Sequence, residues 1–481
     1  MSFARKAAKS GLWFTGFRTI SQTFSWIITI VIARILVPED YGLMSMASIL
    51  TGYVAIFSEL GLGAAIIQKQ DISKKELSSI FWFSMIVGTL FSIVSFGLAY
   101  PTAWIFNEPR IIPITQLISV LFIIGATMIV PYNILTRDVR FKEIGLIQMI
   151  AIIISSLSML LMAKAGYGVW TLIHGTIIQR CTNVMLIFIK TKWCPQLHFN
   201  FREVTSFLTF GLNVAGSSSL FYLFQKSDKF IVGKMFNAQY LGFYSFAMQL
   251  ASIPTEKIVS IVSQVSFPVF SRYQNDLTKC KDMYLRLIKY IALMVAPLFF
   301  GGAFWGEEII FTFLGDKWMP ITFVFRLICL SQFVISVTVI NNIIHNAQGR
   351  PQWVLIFHSF NAILLPAAIF VAGKYGFNAL AIPWVTIYPA VCIIWTWITL
   401  RKLEIPVVTY LKAYKTPLLA TAFMIVGVKG FYYFLTTLEF SSNNFNSSFL
   451  QKILLGSIFY LSYLMVFEKK AIKELWNLRK G

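Results

Sequence analysis

Charge is what this 481-residue sequence has least of. Asp, Glu, Lys and Arg supply 13% of it, and hydrophobic residues supply 57%. An ordinary soluble domain carries about 25% charged residues, so a soluble enzyme of this length is excluded. Acidic residues are the scarcer sign: 20 Asp and Glu stand against 41 Lys and Arg, for a net charge of +21. In a soluble protein that excess would suggest nucleic acid. In so apolar a chain it fits the Lys and Arg that gather in cytoplasmic loops, and no nucleic-acid partner is expected.

Other absences narrow the chemistry. Cys181, Cys194, Cys280, Cys329 and Cys392 are the 5 cysteines. They form no CxxC and have no histidine at ligand spacing, so neither a disulfide framework nor a metal site is expected. They read as small apolar fillers. GxxxxGK[ST], HExxH and GxSxG are all missing, so the chain is not expected to be an enzyme or to need a cofactor. Transport would then run on an ion gradient or on the substrate's own gradient. The basic start MSFARKAAKSGLWF lacks a small-residue cleavage site and reads as the cytoplasmic end of a first span.

What the sequence does have is long apolar runs. About 20 apolar residues cross a bilayer. Fourteen segments qualify, near 11–36, 41–66, 78–100, 111–133, 144–163, 168–189, 205–225, 239–265, 284–304, 320–344, 353–373, 377–400, 417–437 and 449–467. With both termini in the cytoplasm, the loops on that side hold nearly three times as many Lys and Arg as the loops opposite. The expectation is an all-α polytopic membrane protein of 14 transmembrane helices, N-in and C-in.

The chain also repeats itself. GLWFTG at 11–16 matches GLNVAG at 211–216, and IARILVPEDYGLMSMA at 32–47 falls on VGKMFNAQYLGFYSFA at 232–247. Both stretches hold one offset of 200 residues, in which Gly42 meets Gly242 and Arg34 meets Lys234. An even number of spans lies between the copies, so the repeat is parallel. The expected domains are an N-terminal six-helix lobe at 1–200, a C-terminal six-helix lobe at 201–402, and two added helices with a cytoplasmic tail at 403–481.

Ionisable residues inside spans mark candidate sites. In the first span Thr15, Arg18, Gln22, Ser25 and Thr29 form one helical stripe. In the sixth, Thr176, Gln179, Arg180 and Asn183 share a face. Arg18 and Arg180 are the strongest cavity candidates because each sits within a polar stripe, and Arg326 is weaker. Arginine suits phosphate: its planar fork binds oxyanions in a bidentate way and stays charged when partly desolvated. Glu59 and Glu256, with Lys257 beside the latter, are candidates for ion coupling. Ser48, Gly52 and Ala55 form a small-residue stripe that reads as helix packing. His174 reads as packed, and His345, at a helix end beyond Thr338, Asn341 and Asn342, reads as interfacial.

The run from Ala33 to Gly42 carries the pattern ARxLxPxxYG, at Ala33, Arg34, Leu36, Pro38, Tyr41 and Gly42, and ExGLGAAIIQ runs from Glu59 to Gln68. Both resemble the polysaccharide-transporter (Wzx-type) flippases of the multidrug/oligosaccharidyl-lipid/polysaccharide exporter superfamily, and most of all the WzxC-like colanic acid exporters. The stretch from Asp228 is similar to the second-lobe pattern of the same proteins. Arg34, Gly42, Asp228, Lys234 and Gly242 are thus expected at the lobe motif. The resemblance implies two lobes opening alternately to each side of the bacterial inner membrane. It implies undecaprenyl-diphosphate-linked glycan as cargo, with membrane lipids, a polysaccharide polymerase and a chain-length regulator as partners. A cation or drug antiporter of the same superfamily is the first alternative, and a membrane glycan polymerase or ligase the second.

Overall fold

The computed structural model describes residues 3–58, 62–68, 72–437 and 445–468. Its regular structure there is helix throughout. The chain separates into two compact units, Met1–Ser245 and Phe246–Gly481. Unit 1 holds α1 (Phe3–Ile35), α2 (Pro38–Ser58), α3 (Leu62–Gln68), α4 (Lys74–Gly97), α5 (Ala99–Phe106), α6 (Ile111–Arg137), α7 (Phe141–Lys164), α8 (Trp170–Thr191), α9 (Phe201–Met235) and the start of α10 (Ala238–Arg272). Unit 2 continues with α11 (Leu277–Phe304), α12 (Gly306–Leu314), α13 (Thr322–Ala347), α14 (Pro351–Gly373), α15 (Ile382–Val385), α16 (Ile387–Lys402), α17 (Val407–Thr437) and α18 (Phe445–Phe467).

Among the described residues, 11 helical stretches are long and apolar enough to cross a membrane. Helices suit that solvent because each satisfies its own backbone groups. Three further helices, α1, α9 and α10, have 33, 35 and 35 residues and carry more polar side chains. The apolar segment expected at 41–66 is two helices, since α2 closes at Ser58 and α3 begins at Leu62. Cys280, Cys329 and Cys392 are buried fillers, but Cys181 and Cys194 are exposed, which corrects the reading of all five as fillers.

The 200-residue repeat is visible in unit 1. α1 and α9 stop at Ile35 and Met235, and α2 and α10 restart at Pro38 and Ala238. Proline suits a first helical position, where its missing N–H is not needed. The two restarts are capped by opposite halves of one device: Val37 N donates to Asp40 Oδ2 at 3.1 Å, and Tyr240 N donates to Asn237 Oδ1 at 3.0 Å. The helix starts then cross backbone against backbone. A Cβ on Gly42 would sit 1.7 Å from the Ala238 carbonyl oxygen, and one on Gly242 would sit 1.8 Å from that of Pro38. Pro38 and Ala238 are themselves repeat partners, so this is one contact made twice. Only glycine allows it. The Tyr222 hydroxyl of α9 also donates to the Ser48 and Ile49 carbonyl oxygens of α2, both at 3.0 Å.

The connector before α9 is pinned to α4. Gln196 N donates to Ser78 Oγ at 2.9 Å, Asn200 N to Ser79 Oγ at 3.0 Å, and Trp82 Nε1 to the Gln196 carbonyl oxygen at 2.8 Å. In unit 2, α18 is fastened to α11 and α12 by Lys289 to Glu468 at 2.7 Å, Lys452 to Glu308 at 3.1 Å, and Tyr460 Oη to the Leu293 carbonyl oxygen at 2.7 Å. α17 joins it through Thr416 Oγ1, which donates to Glu468 Oε1 at 2.8 Å.

Two outcomes follow. Gly242→Val forces a methyl into a carbonyl and destabilises unit 1 by roughly 1–3 kcal/mol, read as a lower melting temperature in detergent. Gly97→Ala, with nothing within 4 Å of the added carbon, leaves it unchanged. In the loop before α6, Arg110 grips Glu108 at 2.8 Å and Glu39 at 2.6 Å. The hydrogen bond from Arg110 holds the Glu108 carboxyl below the usual carboxylate range. Its contribution is therefore complete above that range and fades as pH falls through the depressed value. Glu108→Gln flattens that part of the melting-against-pH curve.

Candidate functional site

Unit 1 holds a half-open cavity of about 640 Å³ between α2, α3, α6 and α8. Most of its wall is aliphatic, from Met44, Ile67, Ile118, Leu121, Phe122, Met128 and Ile129. The polar part is Ser48 and Thr51 from α2, Tyr132 and Asn133 from α6, and Thr176 and Arg180 from α8. No carboxylate lines it among the described residues, so Arg180 carries the one charge on that wall.

Each helix delivers its groups for a local reason. On α8, Thr176 and Arg180 are one turn apart and share a face. On α2, Ser48, Thr51, Gly52 and Ala55 face the space, and Thr51 Oγ1 donates back to the Ala47 carbonyl oxygen at 2.8 Å. Gly52 does double duty, because a Cβ there would lie 2.1 Å from the Tyr222 hydroxyl. The small-residue stripe expected only to pack therefore also shapes the cavity. Gly63 of α3 lies against Asn133, whose Nδ2 donates to the Ile129 carbonyl oxygen at 2.7 Å.

Arg18 comes to the same region from α1, which packs along α7. Its guanidinium is exposed and within electrostatic reach of the Tyr132 hydroxyl, which also bonds Gln148 of α7. Gln22 is half-buried one turn further along α1. Gln179 and Asn183 are half-buried on α8; Asn183 Nδ2 donates to the Gln179 carbonyl oxygen at 3.0 Å, while its Oδ1 is buried with no partner. The His174 ring bonds the Trp170 carbonyl oxygen of its own helix at 2.8 Å, as a packed residue would.

Other predicted residues lie elsewhere. Arg326 is in unit 2, with Nη2 3.3 Å from Glu307 Oε2, so it is held by a carboxylate. Glu256 is exposed on α10 and accepts from Ser252 Oγ at 3.0 Å, with Lys257 half-buried beside it. Glu59 lies outside the described residues. Asp228 is buried and accepts from Tyr244 Oη at 3.1 Å and from the Lys229 amide at 2.7 Å. Arg34 is exposed at the end of α1, and Lys234 Nζ donates to the Ile105 carbonyl oxygen at 2.6 Å.

Unit 2 treats its polar stripe differently. Tyr284 Oη donates to Asn341 Oδ1 at 2.6 Å, Asn341 Nδ2 to Thr396 Oγ1 at 3.0 Å, and Trp395 Nε1 to Asn342 Oδ1 at 3.0 Å. Thr255, Gln332 and Ser336 form a second buried set. His345 is 1% exposed and stacked on Trp395, so the interfacial reading of it is replaced by burial. These groups bond each other and leave no wall of free donors.

Comparison with known proteins now becomes informative. Residues 31–323 match the model of a family described as "Polysaccharide biosynthesis protein". The chain belongs to that family. Among curated relatives, the succinoglycan biosynthesis transport protein ExoT of Rhizobium meliloti (strain 1021) is 22% identical, covering 97% of this chain and 95% of its own. The lipopolysaccharide biosynthesis protein WzxC of Escherichia coli (strain K12) is 23% identical over 78% and 76%. The teichuronic acid biosynthesis protein TuaB of Bacillus subtilis (strain 168) is 23% identical over 81% of each. Among solved structures, the lipid II flippase MurJ in an inward closed conformation superposes with a TM-score of 0.71, at 16% identity over 94% of this chain and 99% of that one. An inward-facing multidrug MATE transporter of the MOP superfamily gives 0.61, at 12% identity over 79% and 94%. The fold is thus that of the superfamily the motifs resemble, and the chain is a multi-pass membrane protein.

Tyr132, Asn133 and Thr51 escaped the sequence reading because none of them is charged, and a charge inside a span is the signal that marks a candidate. A check on the cavity is thiol labelling in a Cys181→Ser, Cys194→Ser background. Ser48→Cys reacts with a water-soluble maleimide, and Ser336→Cys, closed inside the unit 2 network, does not.

Proposed function

We propose that the chain is a flippase for lipid-linked oligosaccharides, carrying units on undecaprenyl diphosphate from the inner to the outer leaflet of the bacterial cytoplasmic membrane for surface polysaccharide assembly. The supporting observation is the unit 1 cavity, with Arg180 in its wall, Arg18 beside Tyr132 and no carboxylate among its described lining. An anion is attracted there and a cation is not. The hydroxyls and amides around the guanidinium suit a sugar, and the aliphatic wall suits an acyl carrier. The cavity volume falls inside the roughly 300–1,000 Å³ of small-molecule sites. That is room for a diphosphate and its first sugar, with the rest of the chain outside.

In this reading all fourteen long hydrophobic segments cross the membrane and both termini lie in the cytoplasm, in accord with the loop charges. The chain acts as a transporter and not as an enzyme, in keeping with the transport protein ExoT among its relatives. A proton or sodium gradient would couple through Glu59 and Glu256. A polymerase and a chain-length regulator would take the exported unit onward.

The test is Arg180→Ala, alone and with Arg18→Ala, at matched protein level. A charge-assisted hydrogen bond contributes roughly 1.5–3 kcal/mol, so export of surface polysaccharide falls by about tenfold to a hundredfold while lipid-linked precursor accumulates inside the cell. Full export by the double variant removes both arginines from the mechanism. Dye efflux that depends on Glu256 and not on the arginines would point to the antiporter instead.

A further inference from the structure

A second group of bases lies in unit 2, where the ends of three helices meet. His345 is in the last turn of α13, Arg350 immediately precedes α14, and Lys402 ends α16. They are tied together through backbone and side chain. The Arg350 amide donates to the His345 carbonyl oxygen at 2.9 Å, and His345 Nε2 lies 3.1 Å from Thr399 Oγ1. Lys402 follows Thr399 by three residues on the same helix face. The Arg350 charge reaches both of the other bases.

We propose that this corner is an anion site that takes a phosphate group. Two buried polar atoms there, His345 Nδ1 and Lys402 Nζ, have no hydrogen-bond partner; Nζ is a donor, and Nδ1 becomes one when the ring is protonated. The His345 ring cannot turn to find one. It is 1% exposed, stacked 4.5 Å from the Trp395 ring, and held by Thr399 at its other nitrogen. A buried ammonium without an acceptor is unfavourable unless it gives up its proton or an anion supplies the missing oxygens. The three helices that meet here offer no such anion. α13, α14 and α16 contain no Asp or Glu at all. Glu404, two residues after Lys402, is bound to Lys281 at 3.0 Å.

Two further features favour a ligand over an empty polar corner. α14 begins with Pro351 and has no acidic side chain in its first turn, so the positive end of its dipole is uncompensated. Gly349, at φ +70°, has nothing within 4 Å of where a Cβ would stand, which leaves the approach to Arg350 open. Phosphate provides several strong acceptors for a guanidinium and an ammonium at once, and its charge favours the protonated His345 ring, whose Nδ1–H is then a third donor. In the proposed orientation the three helix ends lie at the cytoplasmic face. The phosphate then comes from an anionic lipid headgroup of that leaflet or from free phosphate.

The experiment uses the full chain in nanodiscs. One set contains phosphatidylglycerol with phosphatidylethanolamine; another contains phosphatidylethanolamine alone, with and without inorganic phosphate. Melting temperature and lipid retained in native mass spectrometry are read for wild type, Lys402→Met, Arg350→Gln and Arg401→Gln. Arg401, which lies over the Trp397 ring at 4.5 Å, serves as the neighbouring control. Phosphatidylglycerol raises the wild-type melting temperature, and its retention falls several-fold in Lys402→Met and Arg350→Gln but not in Arg401→Gln. An equal rise from inorganic phosphate in phosphatidylethanolamine discs assigns the site to the free ion. If neither source moves the wild type, and Lys402→Met melts higher in every disc, Lys402 is a neutral buried lysine and the site is overturned. If Lys402→Met does not fold, Arg350→Gln decides alone. Arg180→Ala keeps the full lipid response, which separates this site from the transport reading.

Discussion

A guanidinium inside a membrane-spanning bundle needs either a carboxylate or a space that water and anions can enter. Arg326 has the first, in Glu307. Arg180 has the second, in a cavity whose described wall holds no acid. A charge at mid-bilayer costs at least roughly 2.5–3.5 kcal/mol when neither is available. That constraint separates the ion-paired Arg326 from the cavity-lining Arg180 more sharply than their positions along the helices do.

The same constraint separates the two units. Both copies of the repeated motif, where Gly42 and Gly242 let the starts of α2 and α10 touch, lie in unit 1. The interiors of the two units differ. Unit 1 keeps Ser48, Asn133 and Thr176 facing a cavity, whereas unit 2 spends Asn341, Asn342, Thr396 and Tyr284 on one another. A satisfied buried network rigidifies and specifies a core. A cavity lined by such groups is instead ready for a ligand to complete it. Unit 1 therefore keeps polar groups on a cavity wall, and unit 2 closes its own into a stiffer frame.

Much of this was legible in the sequence, because membrane helices advertise themselves by composition. Eleven of the apolar runs, the 200-residue offset and the face shared by Thr176 and Arg180 reappear among the described residues. What escaped has physical reasons. Glu307 and Arg326 are 19 residues apart on different helices, and no periodicity announces that they meet. His345 looked interfacial from its place at a helix end, yet Trp395, fifty residues on, covers it. Tyr132 and Asn133 give no stripe of their own; only the packing of α6 beside α2 and α8 brings them to the cavity. Ser48, Gly52 and Ala55 read as packing residues because small side chains serve packing and space equally well, and here they serve both.

The central claim is that Arg18 and Arg180 together hold a negatively charged headgroup. Its most direct test is binding by the purified protein of a short undecaprenyl-diphosphate glycan and of the uncharged undecaprenol, compared between wild type and the Arg18→Ala, Arg180→Ala double variant. The account predicts that wild type prefers the diphosphate strongly, that this preference collapses in the double variant, and that undecaprenol binding is unchanged. Equal preference for the diphosphate in both proteins would contradict it.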